Sequence, residues 1–254
     1  MTDNTGDLQD DRKDYKLDEL TRKTLTSNPL SLFNTWMNDA RSADIIDATA
    51  MTLATVGSNG APSARVVLLK QFNADGFYWY TNYDSRKGTE LAGNPNAALV
   101  FYWRELERQV RIEGKVSKAS AARSDEYFNK RPIGSRFSAV ASPQSQVIDN
   151  QQWLTERTQE IQNKFNENTL QRPGNWGGYK LVPDVYEFWQ GRPSRQHDRF
   201  RSLKQQLVTL IKVLQKQITT GESSVLRHKL NTQLMHYYSI GVSPNICSNS
   251  ELRS

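Results

Sequence analysis

Residues 51–81 read MTLATVGSNGAPSARVVLLKQFNADGFYWYT, and this stretch carries the clearest signal of the fold. Its segments 51–56, 64–72 and 77–81 are rich in branched and aromatic residues, which favour β-strands. Turn-forming sequences separate them, GSNG at 57–60 and NADG at 73–76. Connections this short join antiparallel strands, because parallel strands need a longer crossover. The stretch therefore predicts a series of hairpins.

The flanking sequence extends the same pattern. Further strands are predicted at 97–103, 109–118, 177–182 and 185–189. A first helix is predicted from Pro29, after the N-cap Asn28, with an apolar face formed by Leu32, Phe33, Trp36 and Met37. A second helix is predicted at 86–93, after the N-cap Ser85. Two more are predicted at 120–130 and 150–165. The fold class expected is mainly β with flanking helices, the strands closing into an antiparallel barrel.

Most of the net charge of +6 lies at the C-terminal end of the chain. Residues 1–200 carry a net charge of +1, and residues 201–254 carry +5. Proteins that bind nucleic acid usually spread positive charge over the face that meets the phosphates. The nearly neutral main part of the chain, with its individually placed cations, therefore argues against a nucleic-acid partner.

Cysteine and histidine usage excludes several classes of site. With one cysteine, Cys247, neither an internal disulfide nor a thiolate metal cluster is expected, and the three histidines form no metal-ligand motif. Residues 1–11 are polar, without the apolar core of a signal peptide, and no apolar run is long enough to cross a membrane. We therefore expect a cytoplasmic protein that binds neither a metal nor a membrane.

Residues 187–200, EFWQGRPSRQHDRF, concentrate more site chemistry than any other segment. If the chain is extended after Pro193, side chains alternate, so Arg195, His197 and Arg199 project together toward one ligand. Two guanidinium groups beside an imidazole disfavour its protonation, which predicts a mostly neutral His197. The alternative is an exposed basic edge strand without a ligand.

Two pairs of cations indicate anion sites. Arg65 and Lys70 bracket an apolar strand, and at five residues apart they face opposite sides of an ideal strand, so either a bulge aligns them or they serve two anions. Arg86 and Lys87 lie in the first turn of the helix capped by Ser85, where cations oppose the helix dipole unless a phosphate binds there. Solvated surface charge is the alternative for both pairs.

A second phosphate site is predicted at Tyr127, Arg131 and Ser135. Tyr127 and Arg131 are four residues apart and share a helix face, and Ser135 follows in the turn. The alternative is an ordinary packing pair of Tyr and Arg.

Neutral polar residues could complete such a site. Gln109, Gln144 and Ser145 supply donors and acceptors suited to the polar edge of a flat heterocycle, although ordinary loop hydrogen bonding explains them too. Together with the aromatic Trp189 and two anion sites, they favour a phosphorylated cofactor beside a phosphorylated substrate. Neither a Ser-His-Asp arrangement nor a Walker-type loop indicates a rival chemistry.

Several motifs resemble, in order, those of the pyridoxamine 5'-phosphate oxidase family, whose members fold as FMN-binding split β-barrels. They are RVVLLK at 65–70, YTNYDSRK at 80–87, LERQVR at 106–111, YFNKRP at 127–132, WGGY at 176–179 and EFWQGR at 187–192. The resemblance implies oxidation of pyridoxamine or pyridoxine 5'-phosphate to pyridoxal 5'-phosphate by FMN, with oxygen as acceptor and hydrogen peroxide as product. It also implies a homodimer with FMN at the subunit interface.

The resemblance further implies roles for individual residues. FMN would be bound by Arg65, Val66, Val67, Leu68, Leu69, Lys70, Tyr80, Thr81, Arg86, Lys87, Gln109, Gln144, Ser145, Trp189 and Arg199. The substrate would be bound by Arg12, Tyr15, Lys70, Tyr127, Arg131, Ser135, Arg195 and His197. Arg195 and His197 would be catalytic, orienting the substrate carbon toward the reactive flavin nitrogen. Arg12 and Tyr15 would lie in a mobile N-terminal segment, residues 1–26, that covers the substrate.

The resemblance ends near Arg201, which predicts a split-barrel domain at 27–201 and an atypical tail at 202–254. Leucine-rich stripes in the tail indicate two helices, where family members carry a short strand with a Trp and a terminal Arg-Leu-x-Pro. The tail is either a replaced terminus from a frameshift, fusion or altered gene end, or an extension that covers the barrel or binds a partner.

Besides the oxidase, two alternative functions remain, and the first follows from the reading of the tail as a replaced terminus. A replaced terminus would leave a flavin- or pyridoxal-phosphate-binding protein with weak or no turnover, because the final strand would lack its partner. A third hypothesis is a split-barrel flavoenzyme that acts on a different substrate.

Overall fold

Eight antiparallel strands form one sheet in the part of the chain that the computed structural model describes, residues 14–26 and 28–203. In chain order the elements are α1 (Pro29–Ser42), β1 (Ala50–Val56), β2 (Pro62–Leu68), β3 (Gln71–Asn73), β4 (Gly76–Asn82), α2 (Arg86–Gly93), β5 (Asn96–Trp103), β6 (Arg108–Lys118), α3 (Ala121–Lys130), α4 (Ile133–Ala141), α5 (Gln151–Lys164), β7 (Trp176–Gln190) and β8 (Asp198–Leu203). The predicted fold class, mainly β with flanking helices, is confirmed. Arg12 and the predicted tail helices lie outside the described residues.

The link between β2 and β3 makes this sheet curl. The strand order is β2-β1-β5-β6-β7-β4-β3, with β8 beside β7, so β2 and β3 stand at opposite ends of the order. Leu69 and Lys70 alone separate them, a length of chain that spans at most about 10 Å. The Leu69 N–H donates to Thr49 O beside β1, and the Lys70 N–H donates to Tyr78 O on β4, both at 2.9 Å. The two ends of the sheet therefore meet. The prediction of a single strand at 64–72 is wrong, because β2 ends at Leu68 and β3 begins at Gln71.

Strand β7 is continuous over 15 residues, where two strands had been predicted. It pairs with β6 from Tyr179 to Gln190, while its other edge pairs first with β4 and then with β8. The register shifts between Glu113 and Gly114 of β6, opposite the segment of β7 that contains Pro183. Proline cannot donate to the ladder, and the strand accommodates it with a bulge instead of ending there.

The core lies between the inner face of the sheet and α1. Phe101, Val110, Phe188 and Phe200 stand directly opposite one another across β5, β6, β7 and β8, and all four are buried. The Trp36 ring meets the Phe188 ring edge-on, with 5.3 Å between centroids. The predicted apolar face of α1 is confirmed, because all four of its residues are buried: Leu32, Phe33, Trp36 and Met37.

The prediction of an extended chain directly after Pro193 is wrong. Residues Pro193–Arg195 form a 3-10 turn in which Ser194 and Arg195 have left-handed backbones, with φ of 54° and 61°. Strand β8 begins only at Asp198, where it pairs with Gln190. Arg195 and Arg199 therefore do not share one face of a single strand.

Among the described residues, the helices lack the length and hydrophobicity that a membrane-spanning segment requires.

Replacement of Phe200 by alanine tests whether β8 completes the core. Phe200→Ala should lower the free energy of unfolding by about 3–5 kcal/mol, because it empties a site that is 2% exposed. Urea denaturation followed by tryptophan fluorescence measures the change. The control is the exposed neighbour Arg201, whose replacement by Ala should alter stability by about 0.5 kcal/mol at most. Equal stability of Phe200→Ala and the wild type would show that β8 adds nothing to the core.

Candidate active site

A groove of about 530 Å³ lies where the two ends of the sheet meet. It is lined by Arg65, Val66, Val67, Leu68, Lys70, Tyr80, Thr81, Lys87, Tyr127, Arg131, Pro132, Ser135, Gln144 and Trp176. All of these except Pro132 and Trp176 had been assigned to FMN or to the substrate. The groove therefore brings together residues from β2, β4, α2, α3 and α4 that are far apart in the sequence.

Arg65 and Lys70 line the same groove, although an ideal strand would separate them. The chain leaves β2 after Leu68 and enters β3 at Gln71, so the alternation of side chains is interrupted between the two cations. A strand break, rather than the bulge considered from the sequence, brings them together.

Lys87 is a buried cation with neutral partners. Its side chain extends from the first turn of α2, and the residue is 7% exposed. Its Nζ donates to Gln144 Oε1 at 3.0 Å, Thr81 Oγ1 at 3.3 Å and Ser85 Oγ at 3.4 Å, and no carboxylate of the described chain pairs with it. Burial lowers the pKa of Lys87, the nearby Arg65 lowers it further, and the carboxylate of Glu90 opposes the shift without reversing it. An anion in the groove would supply the missing counter-charge.

Arg131 carries a second unsatisfied group. Its Nη1 is buried without a hydrogen-bond partner, and its guanidinium lies 4.8 Å from the centre of the Trp176 ring. Tyr80 and Tyr127 stack beside it, with 3.8 Å between centroids. A phosphate oxygen would satisfy such a donor, because guanidinium groups bind phosphate through directed N–H bonds. Trp176 was missed as a site residue, although its motif WGGY had been recognised.

Three predicted flavin residues next to the groove do not line it. Leu69 is buried in the core, and Ser145 is exposed with a φ of 69°. The Arg86 side chain is 65% exposed, and its Nε forms an ion pair with Glu90 at 2.9 Å. The predicted pair at the start of α2 is therefore divided, because Lys87 faces the groove and Arg86 does not.

A second cluster lies elsewhere on the sheet. Gln109, Trp189 and Arg199 stand directly opposite one another across β6, β7 and β8. The adjacent row, which contains Phe188 and Phe200, faces the core, so these three side chains lie on the outer face. None of the three lines the groove.

His197 packs against this second cluster. Its ring lies 4.6 Å from the Trp189 ring and 5.6 Å from the Tyr15 ring, measured between centroids. The Arg192 N–H donates to His197 Nδ1 at 3.0 Å, which leaves Nε2 to carry the proton of the neutral ring. Burial lowers the pKa of His197, and Arg195 and then Arg199 lower it further. The neutral imidazole predicted from the two arginines thus agrees with the direction of this shift, although burial is the largest cause.

No cluster of three or more potential metal ligands from His, Cys, Asp and Glu occurs among residues 14–26 and 28–203.

Comparison with known proteins identifies the family of this arrangement. Residues 37–165 match the family model for pyridoxamine 5'-phosphate oxidase. The chain is 51% identical over 195 residues to a pyridoxine/pyridoxamine 5'-phosphate oxidase of Cyanothece sp., an alignment that covers 77% of this chain and 92% of that protein. The chain belongs to the pyridoxamine 5'-phosphate oxidase family. A relative of the same name from Burkholderia thailandensis is 53% identical over 192 residues, covering 76% of this chain and 89% of its own.

Membership makes the chain an oxidoreductase of a flavin-binding family. Residues 176–212 match the model of the pyridoxine 5'-phosphate oxidase C-terminal dimerisation region, which supports a homodimer. This match continues past Arg201, where the motif resemblance had ended, and it includes β8.

Solved structures confirm the split-barrel fold. The crystal structure of PhzG from Burkholderia lata, in complex with tetrahydrophenazine-1-carboxylic acid, superposes with a TM-score of 0.68 at 29% identity, covering 73% of this chain and 92% of that one. A pyridoxamine 5'-phosphate oxidase-related, FMN binding protein from Nostoc punctiforme has a TM-score of 0.57 at 17% identity, covering 72% and 95%, and so supports the fold alone.

Lys87→Met should stabilise the ligand-free protein by about 1 kcal/mol or more, because it removes a buried charge that makes direct contact only with neutral groups among the described residues. The folded pKa of Lys87 lies below the ordinary 10.5, so the unfolded chain binds more protons between the two values. The cost of the charge therefore falls as the pH rises through the lowered folded pKa of Lys87, and the gain in Tm should shrink as the pH approaches 10.5. Thermal melting of the two proteins measures this difference.

The control is Lys130→Met, because Lys130 is an exposed lysine paired with Glu126. This change should give no stabilisation. A Lys87→Met protein that is less stable than the wild type at every pH would contradict the assignment of an uncompensated charge.

Proposed function

We propose that this chain catalyses the FMN-dependent oxidation of pyridoxamine 5'-phosphate or pyridoxine 5'-phosphate to pyridoxal 5'-phosphate, with oxygen as the acceptor and hydrogen peroxide as a product. The observation that carries the proposal is one groove with two sets of phosphate donors, around Lys87 and around Arg131. Two phosphorylated ligands, a cofactor and a substrate, account for both sets. The names of relatives at about half identity support the same reaction.

The residues present fit FMN. Lys87 and Arg65 would hold its phosphate, and the buried ammonium of Lys87 would gain the counter-charge that the described protein does not provide. Once bound, FMN would supply the redox chemistry by accepting the hydride equivalent. The protein would provide binding, orientation and exclusion of water.

The substrate phosphate would bind to Lys70, Tyr127, Arg131 and Ser135. Burial raises the pKa of Tyr127, so its phenol keeps its proton at neutral pH and can donate. The unpartnered Nη1 of Arg131 would donate a charge-assisted hydrogen bond. These contacts distinguish a phosphate ester from the free vitamin.

A second copy of the chain would complete the flavin site. Gln109, Trp189 and Arg199 lie on the outer face of the sheet and do not line the groove. FMN bound at a subunit interface would contact the groove of one subunit and this outer row of the other. The match to a dimerisation region supports this arrangement.

Arg195 and His197 would orient the reacting carbon of the substrate. The neutral His197 ring has Nδ1 engaged by the Arg192 N–H, so Nε2–H is the group free to donate to the substrate. Arg195 is exposed at a turn with a left-handed backbone, where its guanidinium can reach a bound ligand. Tyr15 packs against His197 and would help exclude water from the substrate.

A different substrate is the second candidate. PhzG was solved with tetrahydrophenazine-1-carboxylic acid, which carries a carboxylate in place of a phosphate. The set of Lys70, Tyr127, Arg131 and Ser135 favours a phosphate monoester instead, because it offers more donors than one carboxylate needs.

The direct test incubates the purified protein with FMN and pyridoxamine 5'-phosphate in air and follows the aldehyde product and peroxide. Both should form, and pyridoxamine without its phosphate should react far more slowly. Flavin binding without product would favour the binding-protein alternative. A dimer-free protein that binds no flavin would refute both.

Arg195→Ala and His197→Asn should each lower kcat by about 100-fold or more, because correct orientation of the reacting atoms contributes at least this much. The dissociation constant of FMN should change by less than about twofold, since both side chains are proposed to contact the substrate and not the flavin. Steady-state kinetics and flavin fluorescence measure the two quantities. Arg41→Ala, which changes an exposed arginine at the end of α1, is the control. An unchanged kcat in either variant would disprove its assigned role.

A further inference from the structure

Glu90 on α2 is the centre of a polar network behind the groove, although it does not line the groove itself. Its side chain is 9% exposed. Its carboxylate accepts four hydrogen bonds, at Oε2 from Thr55 Oγ1 (2.5 Å), Ser63 Oγ (2.6 Å) and Arg65 Nη2 (3.2 Å), and at Oε1 from Arg86 Nε (2.9 Å).

The same network fixes the Arg65 guanidinium. Its Nη1 donates to Leu53 O at 3.3 Å and to the Thr55 hydroxyl, and its Nη2 donates to Ser63 Oγ at 2.5 Å. The hydroxyls of Thr55 and Ser63 thus accept from Arg65 and donate to Glu90. Rotation of the guanidinium would break several hydrogen bonds at once, so its direction is set before any ligand arrives.

Glu90 also balances charge between two elements. It lies on α2, the helix that carries Lys87, and it pairs with Arg65 on β2. Burial raises the pKa of Glu90, but the hydrogen bonds from Ser63, Thr55, Arg86 and Arg65 together lower it to about 2. The carboxylate is therefore ionised at neutral pH, where it offsets the repulsion between Arg65 and Lys87.

We propose that Glu90 is a positioning residue of the flavin site, which holds Arg65 and the start of α2 at the separation that the phosphate of FMN requires. This inference rests on the proposed function, because it assumes that Arg65 and Lys87 bind that phosphate. Glu90 acts through these two cations and does not touch the flavin.

The experiment compares two flavins that differ in the phosphate alone. Full-length wild type and Glu90→Gln, freed of flavin, are titrated with FMN and separately with riboflavin, and quenching of flavin fluorescence gives each affinity. Glu90→Gln should weaken FMN about tenfold or more and riboflavin less than about twofold, because only FMN uses the positioned cations. The matched control is Glu126→Gln, which changes an exposed glutamate in the same i,i+4 arrangement with a cation and should alter neither affinity.

Each result decides a separate question. A wild type that fails to bind FMN would refute the proposed function itself. If the wild type binds FMN and Glu90→Gln binds it equally well or more tightly, the positioning role is overturned, since the negative charge of Glu90 would then only repel the phosphate. Equal losses for FMN and riboflavin would also overturn it, because they would reveal a general structural role.

A second pair of variants tests whether Glu90 acts through Arg65. The loss of FMN affinity caused by Glu90→Gln should be at least about threefold smaller in an Arg65→Ala background than in the wild type, and strictly additive losses would contradict the proposal. If Glu90→Gln does not fold, Ser63→Ala replaces it, since this change removes the hydroxyl between Glu90 and Arg65. Ser63→Ala should weaken FMN about threefold to fivefold and leave riboflavin unchanged, and an unchanged FMN affinity would overturn the inference.

Discussion

The two-residue link between β2 and β3 is the constraint on which the rest of the structure depends. It joins strands at opposite ends of the sheet order, so the sheet must curl until its ends meet. The groove lies at that junction, lined by β2, by Lys70 of the link and by Tyr80 and Thr81 of β4. Helix α2 follows β4 directly and brings Lys87 to the same place. The curl of the sheet that brings β2 and β3 together therefore also brings Arg65, Lys70 and Lys87 together.

The cations of the groove differ from the structural cations of the same fold. Arg108 is also buried, but it pairs with Asp18 and Asp39, each at 2.6 Å. Such pairing compensates the loss of hydration when a charge is buried. Lys87 has neutral acceptors instead, and Arg131 has an N–H without one. The groove therefore keeps cations that contact no carboxylate directly among the described residues, at a cost to the stability of the empty protein that a bound anion would offset.

The sequence predicted what local chemistry determines and missed what depends on distant contacts. Turn sequences located the hairpins, and Ser85 located the start of α2. The break between β2 and β3 is not marked by a glycine or a proline. It arises because the backbone partner changes from Thr49 at Leu69 to Tyr78 at Lys70, and such distant contacts cannot be seen in the local sequence. Helix α4 was missed since Pro132, which precedes it, indicated an end rather than a beginning. The motifs supplied the proposed site residues, but the division of these residues between a groove and an outer row became visible only in the sheet register.

If FMN binds between two subunits as proposed, that division couples assembly to cofactor binding. Tyr102 extends the outer row, because it stands opposite Gln109, and it is 53% exposed. Val66, which lines the groove, lies on the same face of the sheet and is 68% exposed. Apolar side chains so exposed, next to an incomplete site, are suited to burial against a second copy. If FMN touches the groove of one subunit and the outer row of the other, it binds the dimer more tightly than the monomer. By thermodynamic linkage, each bound flavin then stabilises the dimer by the same free energy with which dimerisation strengthens flavin binding.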